Sequence, residues 1–483
     1  MKYHLFYTAA LLGALARIPD AAAAKRNLIL MISDGFGQAS ETMARAYMEQ
    51  KGGNMQWASG LDSLLVGSVR TQSSDTWVTD SAAGATAYSC ALKTYNGAIG
   101  VDRDGRACGT VLEAAKLHGY LTGLVTTARI THATPAAFAA HVVDRDMEDL
   151  IAQQLLTHGT VGGSESKEKK RIVPLVDVMF GGGLCHFVPK GSTDPVRGCR
   201  SDSVDLWKAA QANGYTAITE RRGFDSLANK SPPNLPVLGL FAPGHMDYEI
   251  DRKQGGTQPS LQEMTLRALD LLNKQQQHAN STGFFIMIEG ARIDMAGHDN
   301  DPATHLHDIL EYWRTVDAVR AFVDANPDTL LVSTSDHETG GLTLGIDPQY
   351  LWHPQLLDPV TRSAESICSD LRGALSEDSI EDYVSETVFA KHLGISNATD
   401  AEIESVVDAA GKDSKKCKRT VGNVVSRRAH IGWSTGGHTG ADVGLYAYGS
   451  GSSAFHGNMD NTQVGQALAA YLGVNLSVAT NLR

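Results

Sequence analysis

The stretch N-L-I-L-M-I-S-D-G-F-G, Asn27 to Gly37, decides the fold. A near-continuous apolar run that ends on Ser-Asp-Gly reads as a strand buried on both faces, the kind found in parallel sheets. Runs of the same kind recur as L-T-G-L-V-T-T from Leu121, P-V-L-G-L-F-A from Pro236, F-F-I-M-I-E from Phe284, T-L-L-V-S-T-S from Thr329 and V-G-L-Y-A-Y from Val443. Helical patterns lie between them at Glu41–Glu49, Gly109–Leu117, Leu261–Gln276, His305–Asp324 and Thr462–Leu472. The alternation predicts an α/β three-layer sandwich: a large, mostly parallel central sheet with helices on both faces. Between Gly345 and Ile431 the alternation stops, and the residues at 346–430 are expected to form a helical insertion, a cap or dimer element.

Composition narrows the function classes. With 483 residues, a net charge of -12 and only short basic runs such as Lys167–Arg171, the chain is not built to hold nucleic acid. Lys2, the apolar Leu5–Ala16 and the small residues Ala21–Ala24 read as a signal peptide over residues 1–24, leaving 25–483 as the folded domain. A secreted protein is expected, with a vacuolar destination or an uncleaved membrane-anchoring N-terminus as alternatives. No later segment is long and apolar enough to span a bilayer. The six cysteines suit an oxidising compartment: spacing favours Cys185 with Cys199 and Cys368 with Cys417, while Cys90 and Cys108 are left either paired or free. Sequons stand at Asn229, Asn280, Asn397 and Asn475, so a glycoprotein is expected.

Ligands of open α/β sheets bind beyond the carboxyl ends of the strands, and this chain places acids and histidines there repeatedly. The first strand runs out at Asp34; the strand from Leu121 leads to His132 and Thr134; the strand from Phe284 ends at Glu289; the strand from Thr329 leads to Asp336 and His337. His438 precedes the last strand, and Asp294 and His298 are four apart, on one face of a helical turn. Any one of these alone is an ordinary polar residue. Together their carboxylates would repel one another unless cations neutralise them. Mixed His and Asp donors suit zinc, and Asp34, Glu289 and Thr134 make an oxygen set suited to magnesium. His305 and His307, two apart in a helical pattern, read as packing residues or as supports behind the metal ligands; His141, His186, His245, His353 and His456 have no evident partner.

In V-T-D-S-A-A-G-A-T-A-Y-S-C, Val78 to Cys90, Asp80 or Ser81 taken alone is a helix cap. Next to cations, a serine at a helix N-terminus becomes a nucleophile facing an anionic centre, and Arg145 in A-H-V-V-D-R-D is the best cation to grip two of that centre's oxygens.

Six motifs in order, I-S-D-G-F-G, V-T-D-S-A-A-G-A-T-A, T-H-A-T-P-A-A-F-A-A-H-V, M-I-E-G-A-R-I-D-M-A-G-H, S-T-S-D-H-E-T-G-G and G-G-H-T-G, make the chain resemble the alkaline phosphatase family, with the D-H-E-T-G-G form closest to eukaryotic, fungal-like members. The resemblance implies hydrolysis of phosphate monoesters through a phosphoserine at Ser81, with Arg145 clamping the phosphoryl group. It implies one zinc on Asp294, His298 and His438, a second on Asp34, Asp336 and His337, and magnesium on Asp34, Thr134 and Glu289. It also implies a homodimer. Two positions depart from the best-known bacterial pattern: His132 replaces an aspartate beside the magnesium, and Met295 replaces a lysine near the phosphate.

The rival readings are a phosphodiesterase, a sulfatase-like member of the same superfamily, or a secreted metal-binding glycoprotein without turnover. The x-P-x-R sequence that a sulfatase needs is absent, since A-A-G-A follows Ser81. The complete donor set argues against loss of turnover.

Overall fold

The computed structural model describes residues 25–480, except 55–57, 157, 161–171, 230–233, 280, 347 and 376–379. The expected signal peptide, the Lys167–Arg171 run and the Asn280 sequon lie outside the described residues.

Ten strands form the central sheet: β1 (Arg26–Ile32), β2 (Leu65–Arg70), β3 (Leu121–Arg129), β4 (Val178–Gly182), β5 (Thr216–Ile218), β6 (Val237–Leu240), β7 (Gly283–Glu289), β8 (Thr329–Thr334), β9 (Val443–Gly449) and β10 (Gly457–Asp460). Their spatial order is β10-β2-β9-β8-β1-β7-β3-β4-β6-β5. Only β9 runs against its neighbours. All six apolar runs of the sequence are strands of this sheet. Their residues alternate between the two faces: Ile29 and Met31 of β1 join one apolar cluster, Leu28, Leu30 and Ile32 the other. Helices cover both clusters. Met264 and Leu272 of the Leu261–His278 helix and Val316 and Val319 of the Pro302–Ala325 helix pack on the first; Ala82, Ala85 and Tyr88 of the Ser81–Cys90 helix and Val464 and Leu468 of the Asn461–Leu472 helix pack on the second. Fully burying a Leu, Ile or Val contributes about 1.5–3 kcal/mol, so a strand enclosed on both faces is held in register along its whole length.

That register sets the site. Strands β8, β1, β7 and β3 are consecutive neighbours, with Ile32 opposite both Thr334 and Glu289, and Glu289 opposite Thr126. Their carboxyl ends therefore finish at one level and deliver Asp336 and His337, Asp34, Glu289, and His132 and Thr134 side by side.

After β8 the chain passes through helices Ala364–Ala374, Asp400–Ala410 and Ser414–Arg428 before returning at β9. Three disulfides form: Cys185–Cys199 and Cys368–Cys417, the pairs that spacing favours, and Cys90–Cys108, which the sequence left open. Among the described residues no helix is long and apolar enough to cross a membrane.

Candidate functional site

Ser81 opens helix α1 (Ser81–Cys90), with Asp80 as the N-cap accepting from the Ala83 backbone N–H. The cap reading of the sequence is therefore correct for Asp80, and Ser81 stands one position inside the helix, where backbone N–H groups have no helical partner. The small residues that follow have a purpose. A Cβ on Gly84 would come within 3.1 Å of the Asp336 Cβ, so the helix lies directly against the acid and histidine cluster. The Ser81 hydroxyl, buried, is 3.0 Å from His337 Nε2 and 3.4 Å from Asp34 Oδ2.

Asp294 and His298 lie on helix α2 (Arg292–His298), three residues after β7 ends. The close approach of this helix to the Ser33–Phe36 turn requires glycine at Gly35, where φ is +77° and a Cβ would sit 2.5 Å from the Asp294 Cα. His438 arrives by a different route. The two-residue strands Glu338–Thr339 and His438–Thr439 pair antiparallel, with Thr339 opposite His438, and the rings of His337 and His438 stack at 3.5 Å.

The structure thus brings all the predicted donor residues together in three groups. Asp294, His298 and His438 form one; Asp34, Asp336 and His337 the second; Asp34, Glu289 and His132 the third, with Thr134 beside Glu289 on the short helix Ala133–Ala136 after β3. In the first group, His298 Nδ1 donates to the Gly436 carbonyl at 2.9 Å and His438 Nδ1 to the Thr79 carbonyl at 2.8 Å. In the neutral imidazoles both Nε2 atoms are bare; they face each other at 3.1 Å and approach the Asp294 carboxylate at 3.3 and 3.5 Å, and without a cation Asp294 draws a proton onto His298. Lone pairs so placed converge on a cation. In the other two groups Asp34 Oδ1, Asp336 Oδ2, Glu289 Oε1 and Thr134 Oγ1 are buried with no hydrogen-bond partner. Buried polar atoms are rarely orphaned, and four oxygens in one place fit divalent cations.

The electrostatics agree. Burial, then repulsion from Asp336, Asp294 and Glu289, pushes the Asp34 carboxyl well above its usual range. Burial raises Glu289 to about 7, and burial with the Asp294 charge raises Asp336 to about 6. Burial also opposes ionisation of Asp294, but His298, His438 and His337 outweigh it and hold its carboxyl well below the usual range. Asp294 in turn raises His298 to about 9. Burial keeps His337 and His132 neutral, far below the ordinary imidazole value, with Arg145 and Arg129 adding to the effect at His132.

Arg145 links Asp80, the neighbour of Ser81, to the third group. Its Nη1 donates to Asp80 Oδ2 at 3.0 Å and its Nη2 to His132 Nε2 at 3.1 Å. Each of these nitrogens keeps a second N–H, so the guanidinium retains a fork that can bind two oxygens. Met295 does not extend the polar surface: its side chain packs against the apolar core with Sδ 3.0 Å from Arg292 Nη1. His305, read as a packing residue, is buried between the Ile293 carbonyl and Ser40 Oγ, both at 2.8 Å.

Sequence reasoning missed four contributors. Asp80, assigned only to the cap, also holds Arg145. Thr126 donates to Glu289 Oε2 at 2.5 Å. Glu338 accepts from the Gly341 N–H at 2.9 Å and from the Thr439 hydroxyl, which ties down the His438 ribbon. Thr339 touches both Asp294 and His337. His245, His141 and His186, without evident partners in sequence, meet Arg129, Glu113, and Glu148 with Asp149, respectively.

A family model described as alkaline phosphatase matches residues 25–474. The alkaline phosphatase of Schizosaccharomyces pombe is 43% identical over 459 residues, covering 94% of this chain and 82% of that protein. The repressible alkaline phosphatase of Saccharomyces cerevisiae is 43% identical over 485 residues, covering 95% and 83%. Among solved structures, the Thermus thermophilus alkaline phosphatase superposes with a TM-score of 0.78 at 33% identity, covering 98% of this chain and 96% of that one.

Proposed function

Because this chain belongs to the alkaline phosphatase family and is a phosphomonoester hydrolase of that family, we propose that it works through a phosphoserine formed on Ser81, with two zinc ions and one magnesium ion bound. The observation that supports this most directly is the buried Ser81 hydroxyl lying against converging, unsatisfied donor atoms. Asp294, His298 and His438 would hold one zinc; Asp34, Asp336 and His337 the second; Asp34, Thr134 and Glu289 magnesium, with His132 beside them. Cations in these groups supply Lewis acidity and neutralise charge on the attacking and leaving oxygens.

The chain's own residues do the rest. The N-terminus of α1 and the Arg145 fork orient the phosphoryl dianion, with Asp80 keeping the fork aimed. Ser81 Oγ forms a bond to phosphorus as the bond to the alcohol breaks. Water then displaces Ser81, releasing phosphate and regenerating the hydroxyl. A monoester fits this arrangement better than a diester or sulfate ester, because it offers two or more charged oxygens to Arg145 and the cations.

The family resemblance supports a homodimer, with residues 346–430 as a helical cap or insertion. The three disulfides favour an oxidising destination, secreted or vacuolar, and exposed Asn397 and Asn475 are open to glycosylation. Metal content measured together with hydrolysis of a chromogenic monoester, diester and sulfate ester tests the proposal. The monoester should dominate, and chelation should abolish turnover until zinc and magnesium are returned. Preference for either other substrate contradicts it.

A further inference from the structure

We propose that Thr339 is a positioning residue whose single hydroxyl couples the first two donor groups, orienting Asp294 in one and fixing the tautomer of His337 in the other. The inference rests on the reading of those groups as metal sites. Thr339 Oγ1 is 2.5 Å from Asp294 Oδ1 and 3.2 Å from His337 Nδ1. A hydroxyl carries one proton. An ionised carboxylate only accepts, so the proton goes to Asp294, and only lone pairs remain to face His337. His337 Nδ1 must then carry the imidazole proton, which leaves Nε2 bare. That bare nitrogen faces Ser81 Oγ at 3.0 Å, Asp336 Oδ2 at 3.2 Å and Asp34 Oδ1 at 3.6 Å.

The other two histidines are set differently. Backbone carbonyls of Gly436 and Thr79 fix His298 and His438, so of the three histidines in these two groups His337 is the one that depends on a side chain, and that side chain also holds an acid of the other group. The hydroxyl is firmly aimed. The Thr339 N–H donates to the Gly35 carbonyl at 3.2 Å, and the residue is paired with His438 in the short ribbon. Its methyl lies against Gly297 on α2, where a Cβ would meet it at 3.1 Å. The threonine of D-H-E-T-G-G thereby links three separate chain segments, and removing its hydroxyl affects both donor groups at once.

The test is cobalt(II) titration of the metal-stripped full-length protein, followed by visible absorption, in the wild type, Thr339→Val and Thr339→Ser. Loss of a partner that orients a ligand weakens metal affinity by roughly 10- to 100-fold. Thr339→Val should show that loss at both groups, and Thr339→Ser, which keeps the hydroxyl, should restore both. Where near-ultraviolet circular dichroism shows that the valine variant is misfolded, Thr339→Ser against Thr339→Ala gives the same contrast. Wild-type affinity at either group in the hydroxyl-free variant, or a serine variant as weak as the hydroxyl-free one, overturns the role of Thr339. A wild type that takes up no cobalt overturns the metal reading itself.

Discussion

Ser81 Oγ lies 3.0 Å from Nε2 of His337, although one residue opens a helix after β2 and the other follows β8, 256 positions along the chain. The contact exists because the Ala- and Gly-rich face of α1 allows close approach to the carboxyl end of β8. It places the serine hydroxyl within the donor cluster rather than out toward solvent, and the following predictions depend on that placement.

Arg145→Ala removes a fork that can bind two phosphoryl oxygens. Charge-assisted hydrogen bonds contribute about 1.5–3 kcal/mol, so kcat/KM for a monoester should fall roughly 10- to 150-fold. A diester presents one fewer anionic oxygen and should lose much less. Steady-state kinetics on both substrates checks this, and equal losses contradict it.

Asp80 caps α1 through Oδ1 and, through Oδ2, holds Arg145 and accepts from the Gly97 N–H at 2.9 Å. Asp80→Ser keeps a competent cap but frees the arginine and the Gly97 N–H. It should lose only about 1 kcal/mol of stability, for the Gly97 bond, while KM and the phosphate inhibition constant rise roughly tenfold, the equivalent of one charge-assisted bond. Asp80→Ala should show the same kinetic change and lose about 1 kcal/mol more, for the cap. Denaturant melts with phosphate inhibition separate the two.

The sequence exposed the centre of the sheet and hid its margins. Strands β1, β3, β6, β7, β8 and β9 carry apolar runs because both their faces are covered. By contrast, β2 reads L-V-G-S-V-R and is mostly half-exposed, β4 contains only V-M-F before two glycines, β5 has three residues, and the edge strand β10 reads G-N-M-D. Without burial on both faces β2, β5 and β10 have no apolar run to recognise, whereas β4 is buried throughout and its run is simply cut short by the two glycines. At the site, Asp34, Glu289, Asp336 and His337 were legible because strand ends deliver them. Asp80 and Thr339 were not, because Asp and Thr are common at caps and turns and only the folded arrangement shows what their second oxygen or single hydroxyl touches.

The pH dependence of the metal-free protein follows from the groups with displaced pKa values. His132, His337 and His245 are depressed, so their effect on stability is complete once pH exceeds the ordinary imidazole value, about 6.5. Above that, Glu289, raised to about 7, and His298, raised to about 9, bind more protons folded than unfolded. Stability should therefore fall as pH rises from about 6.5 to about 9. Zinc and magnesium, which favour the ionised carboxylates and neutral imidazoles, should abolish the decline. Thermal melts with and without metal across this window provide the check; a metal-free midpoint that rises with pH contradicts the assignment.

If the third group holds magnesium as proposed, His132 should tune it. Its imidazole is neutral and accepts from Arg145, so it adds no negative charge beside Asp34 and Glu289. An imidazole also ligates zinc readily. His132→Asp should tighten magnesium binding and weaken inhibition by excess zinc, with slower phosphate release. Coincident magnesium titrations of wild type and variant, with equal zinc inhibition, remove this role.

The central claim is that Ser81 becomes phosphorylated during turnover. Acid-quenching the wild-type enzyme with labelled monoester and mapping the label by peptide mass spectrometry tests it most directly. The account predicts one phosphate, on Ser81, and none in Ser81→Ala, whose turnover should fall by roughly a thousandfold or more while its metal content is retained. Label on another residue, or undiminished turnover in Ser81→Ala, would contradict it.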